Sequence, residues 1–139
     1  KLIIMLSLIQ INISDPFFFR YQIPNTNSFS KMSAVKEKID TLLQEKKVVV
    51  ISKSYCPFCK KAKQVLAKYN IPKEHIAILE IENDSSCEEI QKYMQVLTGG
   101  RSVPRVFIGG KCIGGGDETM ALHNNGQLES LLKNVGAIA

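Results

Sequence analysis

A chain of 139 residues, 45% hydrophobic and 22% charged, suits one compact domain built around a single core. The net charge is +5; Lys1, Arg20 and Lys31 against Asp15 give the first 31 residues +2, leaving +3 for the rest. An excess that mild, with no basic block interleaved with aromatics, describes a solvated surface and gives no reason to expect nucleic-acid binding.

Residues 1–14 are apolar but too short and interrupted for a membrane span, which needs about 20 apolar residues. They resemble the hydrophobic part of a leader, with Lys1 before it, but no small-x-small cleavage site follows. Residues 24–33 are polar and turn-rich, as a linker would be. Two readings stay open: a targeting segment, or a translated upstream stretch with Met32 as the true start. The division expected is an N-terminal extension over 1–31 and one domain over 32–139. The cytoplasm is the expected location unless 1–31 is a leader. Asn12-Ile13-Ser14 and Asn83-Asp84-Ser85 match the glycosylation triplet, a pattern common by chance.

From Ser33 the pattern becomes regular. Ser33 and Glu37 suggest a capped helix start, followed by Val35, Ile39, Leu42 and Leu43 at helical spacing. Val48-Val49-Val50-Ile51 reads as a short buried strand. Pro57 suits the first position of a helix with Ala62, Val65, Leu66 and Tyr69 on one face and lysines on the other. Asn70-Ile71-Pro72 ends it. Ile76 to Ile81 predicts a second buried strand. Ser85 or Ser86 can cap a helix carrying Ile90, Tyr93, Met94 and Leu97, stopped by Gly99-Gly100. Val106-Phe107-Ile108, a Gly109-Gly110 turn and Lys111-Cys112-Ile113 predict a hairpin. Asp117 opens a last helical region. The order is α-β-α-β-α-β-β-α. A right-handed crossover makes the first two strands parallel, and the hairpin adds two antiparallel ones. The fold class is α/β, with a four-stranded mixed sheet flanked by helices.

Chemistry concentrates at Cys56-Pro57-Phe58-Cys59, where a strand hands over to a helix. A thiol at a helix start feels the positive end of the dipole and ionises readily, and the thiolate is what attacks disulfides. Lys53, Lys60 and Lys61 lie within a few residues. Cys56 is therefore the expected nucleophile, and Cys59, about one turn further in, the second thiol. Four cysteines in a short chain could instead form a secreted disulfide scaffold, but residues 32–139 have enough apolar periodicity to dispense with staples. Zinc would want four ligands, usually as two close pairs, and Cys87, Cys112, His75 and His123 supply no second pair, so no metal is expected.

Three blocks in order carry a resemblance: Lys53-Ser54-Tyr55-Cys56-Pro57-Phe58-Cys59, then Gly99 to Ile108, then Cys112-Ile113-Gly114-Gly115-Gly116-Asp117-Glu118. Over about residues 34–135 the chain resembles a dithiol glutaredoxin, a member of the thioredoxin-fold superfamily. The resemblance implies a glutathione-dependent thiol–disulfide oxidoreductase acting on glutathionylated or disulfide-bonded proteins, with glutathione as cosubstrate, as a monomer and without a membrane. It implies that Cys56 takes glutathione from the substrate and that Cys59 is needed only for protein disulfides. It implies a cis Val103-Pro104 bond, with the Val103 backbone free to pair with the extended tripeptide. Lys53, Gln91 and Arg101 would hold the glycyl carboxylate. The N–H groups of Asp117 and Glu118 would hold the γ-glutamyl carboxylate, with an acidic side chain on its ammonium. Phe58, Gly115 and Gly116 complete the implied contacts. Taken singly, Lys53 and Arg101 read as solvated charge, Gln91 as an ordinary helix residue and Val103-Pro104 as a strand entry.

Phe58 stands where many relatives have Tyr, Ser102 where Thr is commoner and Gly116 where Cys is frequent. Cys112 matches a non-catalytic family cysteine. Cys87 reads as a partly buried thiol at a helix start, with regulatory oxidation or dimerisation as the alternative. Two other functions remain. One is a glutathione-ligated iron–sulfur dimer, disfavoured by Pro57 after the nucleophile. The other is a thioredoxin-type reductase, disfavoured by the Lys53, Arg101 and Asp117 set.

Overall fold

The computed structural model describes residues 26–139. The apolar stretch 1–14, the Asn12 triplet and the leader question lie outside them. The chain runs α1 (Thr26–Glu45), β1 (Val48–Ser52), α2 (Pro57–Ala67), β2 (Ile76–Glu80), α3 (Cys87–Thr98), β3 (Arg105–Ile108), β4 (Lys111–Gly114), α4 (Gly116–Asn124) and α5 (Gln127–Asn134). The sheet order is β2-β1-β3-β4. β1 and β2 are parallel, β1 and β3 antiparallel, and β3 and β4 form the hairpin, with one register shift between Val106 and Phe107.

Helices cover both faces of β1, and all five of its residues are buried. That is why it reads as a continuous apolar run instead of an alternating one. The strand period of two divides the core. Val48 and Val50 join Val106 and Ile108 under Ala62, Val65 and Leu66 of α2 and Leu128 and Leu132 of α5. Val49, Ile51 and Phe107 face α1 and α3 through Val35, Ile39, Ile90 and Met94. Truncating a fully buried residue such as Ile39 to alanine costs about 2–5 kcal/mol at sites of this kind.

Four local expectations need correction. The linker over 24–33 and the cap at Ser33 give way to helix from Thr26, continuous across the expected 31/32 boundary. No proline or glycine interrupts that stretch, and Lys31 Nζ ties it to α3, donating to Ser85 O at 2.5 Å and pairing with Glu89 at 3.5 Å. β2 is a half-exposed edge strand, not a buried one, with Ile78 46% exposed. Ser86 is the N-cap residue of α3 but makes no side-chain cap bond; Asp84 Oδ1 accepts the Ser86 N–H at 2.7 Å instead. The last helical region is two helices, parted where Gly126 takes a left-handed φ of 81°. Among the described residues no helix is long and apolar enough to cross a membrane.

Candidate active site

The site begins where β1 ends. Lys53 to Cys56 make a turn closed by Cys56 N–H to Lys53 O at 3.1 Å. Glu82, just past β2, steadies it by accepting the Ser54 N–H at 3.2 Å and the Ser54 hydroxyl. Those Ser54 bonds, the hydroxyl's first, hold the Glu82 carboxyl below its ordinary pKa. α2 then starts with Cys56 as N-cap residue and Pro57 in its first turn. Its first helical backbone bond is Lys60 N–H to Cys56 O at 3.0 Å. The N–H groups of Phe58 and Cys59 are thus left for another acceptor.

Both lie close enough to Cys56 Sγ to favour its thiolate. Burial alone would raise its pKa, but the Cys59 N–H, the Cys59 thiol, the Phe58 N–H and the Lys53 charge together bring it below the ordinary thiol value. Cys59 is the reverse. It is fully buried, and burial pushes its pKa up against the Lys53 N–H that reaches its sulfur at 3.4 Å. The two thiols are therefore poised for different protonation states, as their order in the helix predicts. Both are free, as are Cys87 and Cys112.

A groove of about 410 Å³ lies beside Cys56, walled by Phe58, Val103, Pro104 and the first turn of α4. The larger hollow, of about 520 Å³ between α1 and Leu79, is mostly apolar and remote from the thiols, so the smaller groove is the one with chemistry in it. The Val103-Pro104 bond is cis, and the Cys56 thiol lies 3.9 Å from Val103 O. Phe58 is 52% exposed and Tyr55, preceding the nucleophile, 66%.

At one end, of the three residues expected to hold the glycyl carboxylate, the Lys53 and Gln91 side chains meet, and Arg101 joins them through its backbone carbonyl. Gln91 Oε1 accepts from Lys53 Nζ at 3.4 Å, and Gln91 Nε2 donates to Arg101 O at 3.0 Å. Gln91 thus bridges the nucleophile loop to the 99–102 loop. At the other end, the first backbone bond of α4 is Thr119 N–H to Gly115 O at 3.1 Å. The N–H groups of Gly116, Asp117 and Glu118 therefore have no helical partner. The acidic side chains there are already engaged. Glu118 Oε2 accepts the Gly115 N–H at 2.9 Å, and Asp117 pairs with Lys61 at 3.0 Å. A close backbone approach falls on Gly116, where a Cβ would lie 2.7 Å from Phe58 O.

Two contributors carry no signal in the sequence. Arg105 braces the 99–102 loop through Nε to Gly100 O at 3.2 Å and a terminal nitrogen to Ser102 Oγ at 3.1 Å. Glu82 holds the turn before Cys56 from 28 residues away. Only an acidic or basic residue at a strand end hints at either. Cys87, half-buried at the start of α3, sits 3.8 Å from Gln91 Oε1. Cys112 is half-buried in β4 against the α1–α3 core. Among the described residues no three His, Cys, Asp or Glu side chains are grouped to hold a metal ion.

Comparison with known proteins agrees with this geometry. The glutaredoxin family model matches residues 48–113. Human glutaredoxin-1 is 40% identical over 103 residues, covering 74% of this chain and 97% of the relative. The crystal structure of oxidized glutaredoxin 2 from Chlamydomonas reinhardtii superposes with a TM-score of 0.72 at 44% identity, covering 77% of this chain and 98% of that one. The buckwheat glutaredoxin–glutathione complex does so with a TM-score of 0.72 at 34% identity, covering 79% and 97%. A strand-to-helix dithiol, a groove beside it and likeness over nearly the whole length of these relatives together mean that the chain belongs to the glutaredoxin family.

Proposed function

We propose that this protein is a glutathione-dependent thiol–disulfide oxidoreductase that uses Cys56 as nucleophile and the groove beside it to seat glutathione. The observation that carries the reading is Cys56 at the start of α2, its sulfur 3.9 Å from Val103 O beside a groove walled by Val103-Pro104 and the start of α4, with the Phe58 and Cys59 N–H groups favouring its thiolate. The glutathione seen with buckwheat glutaredoxin supports the same cosubstrate here.

In the one-thiol route, the Cys56 thiolate attacks the glutathione sulfur of a protein–glutathione disulfide. The protein leaves as a thiolate and Cys56 carries the glutathione. A second glutathione thiolate attacks that glutathione's sulfur, giving oxidised glutathione and free Cys56. Lys53, Gln91 and Arg101 take the glycyl carboxylate, the Asp117 and Glu118 N–H groups the γ-glutamyl one, and the Val103 backbone pairs with the cysteinyl amide. Asp117 is the acceptor for the ammonium, exchanging Lys61 for it, because Glu118 caps its own helix. In the two-thiol route, Cys59 displaces a protein substrate from Cys56, and two glutathiones then reduce the Cys56–Cys59 disulfide. The protein substrates are glutathionylated or disulfide-bonded proteins met by a monomer in the cytoplasm.

The test compares Cys56→Ser and Cys59→Ser in a glutathione-coupled assay with a glutathionylated peptide and with a protein disulfide. Loss of both activities in Cys56→Ser, and of the second alone in Cys59→Ser, is the expected pattern. Equal loss in both variants on the glutathionylated peptide would sink the one-thiol route.

A further inference from the structure

The last residue of β1 is unusual. Ser52 has no exposed surface, and its hydroxyl finds no partner at ordinary hydrogen-bond geometry among the described residues. Buried hydroxyls are normally satisfied, so an orphan one calls for an explanation. Its direction follows from the strand period. Ser52 shares a sheet face with Val48 and Val50, which pack under α2. The inward residue of the first turn of α2 is Cys59, whose sulfur already takes the N–H of Lys53, the residue after Ser52. The hydroxyl is thus in the same buried layer as the resolving thiol.

A neutral thiol is a poor acceptor and a thiolate a good one. With Cys59 protonated the Ser52 hydroxyl has only a weak acceptor beside it, and ionisation of Cys59 gives it a strong one. We infer that Ser52 is a positioning residue for the resolving step, a donor set in advance for the charge that forms on Cys59. The inference rests on the proposed function and extends it to the two-thiol route. In that step Cys59 gives its proton to water, and its sulfur bonds Cys56 Sγ. The bond between Cys56 and the substrate sulfur breaks, and the electron pair leaves on the substrate thiolate, which water reprotonates. The substrate disulfide is reduced, the Cys56–Cys59 pair is oxidised, and two glutathione thiols later restore it. Donors fixed in a dry site act most strongly on charge that develops there. The effect of the Ser52 hydroxyl on the Cys59 pKa has the matching sign, opposing burial and the neighbouring Cys56, the titratable group against it.

The test is Ser52→Ala beside Ser52→Thr. In a Cys56→Ser background, Cys59 is titrated by its rate of alkylation against pH, a readout that needs no glutathione. S52A is expected to raise the Cys59 pKa by about one unit, a tenfold smaller thiolate fraction near neutrality. S52T keeps the donor, suits a strand and is expected to titrate as the parent does. With Cys56 restored, S52A is expected to slow reduction of a protein disulfide about tenfold, the same factor, while removal of glutathione from a glutathionylated peptide stays within about twofold. An unchanged Cys59 titration in S52A, a Thr variant that shifts as far as Ala, or equal loss on both substrates would overturn the inference. Should the parent protein prove unable to use glutathione, the proposed function fails while the Cys59 titration still decides the role of Ser52.

Discussion

Three helices point their N-termini toward the upper edge of this domain's chemistry, and each disposes of its free N–H groups differently. α3 is partly satisfied from within: Asp84 Oδ1 takes the Ser86 N–H at 2.7 Å and Asp84 O takes the Cys87 N–H at 3.0 Å. The first N–H groups of α2 favour charge on its own leading residue, the Cys56 sulfur. α4 keeps the N–H groups of Gly116, Asp117 and Glu118 without helical partners and caps only the preceding Gly115. The same dipole and the same orphan donors thus serve a structural cap at α3, favour a thiolate at α2 and stay open at α4. What decides among them is which acceptor the chain itself provides.

Breaking each terminus should give a different loss. The largest is at α2. Cys56→Ser should bring turnover to background in the glutathione-coupled assay, because Cys56 is the thiol beside the groove and its pKa is lowered. The accompanying pH signature follows from the lowered Cys56 pKa. Its alkylation should be half-maximal below the pH at which free cysteine reaches half its maximum. The stability that the thiolate lends the reduced fold is present above the unfolded thiol's pKa, about 8.5, and is lost as pH falls through the lower folded value. Cys59 runs the other way: its contribution is present below the unfolded pKa and lost as pH rises through the raised folded one.

Next in size is the cationic end of the groove. Lys53→Ala removes a charge that favours the Cys56 thiolate and that we propose holds the glycyl carboxylate, and should raise the KM for a glutathionylated peptide about tenfold, with a smaller fall in kcat. A KM unchanged within twofold would show that the groove is not entered from this end. Gln91→Ala should cost less, about threefold in KM, because the bridge it makes to Arg101 positions the loop instead of carrying charge. The smallest functional effect belongs to α3. Asp84→Ala should lower stability by about 1 kcal/mol in urea unfolding, as loss of a cap does, and leave turnover alone. A comparable loss of turnover would erase the distinction between a capped and a working terminus.

Much of this was legible before any coordinate. The run Val48–Ile51 announces a strand buried on both faces, Pro57 marks the start of α2, and Gly99, with a φ of 79°, stops α3 as its position predicts. These succeed because the information is local: side-chain period, a missing N–H, a glycine in the left-handed region. The start of α1 was misread because Ser33 and Glu37 form a plausible cap, while the bond that extends the helix, Lys31 to Ser85, spans 54 residues. β2 looks fully buried in sequence because Ile76, Ile78 and Leu79 are apolar; only the strand order puts it at an edge with Ile78 exposed.

The chain by itself carries the family's dithiol motif and the expected order of its two thiols. A Cys-x-x-Cys at a strand-to-helix junction ionises its first thiol through forces that act within one turn, and the Val103-Pro104 and Gly114–Glu118 segments carry the family likeness. Tertiary structure alone decided which donors and charges are free. Asp117 is paired with Lys61 from α2, Glu118 folds back on Gly115, Arg105 holds the 99–102 loop, and Ser52 is buried without an ordinary hydrogen-bond partner for its hydroxyl. Whether a polar group is available depends on what packing brings against it from distant parts of the chain, and neither spacing nor composition records that.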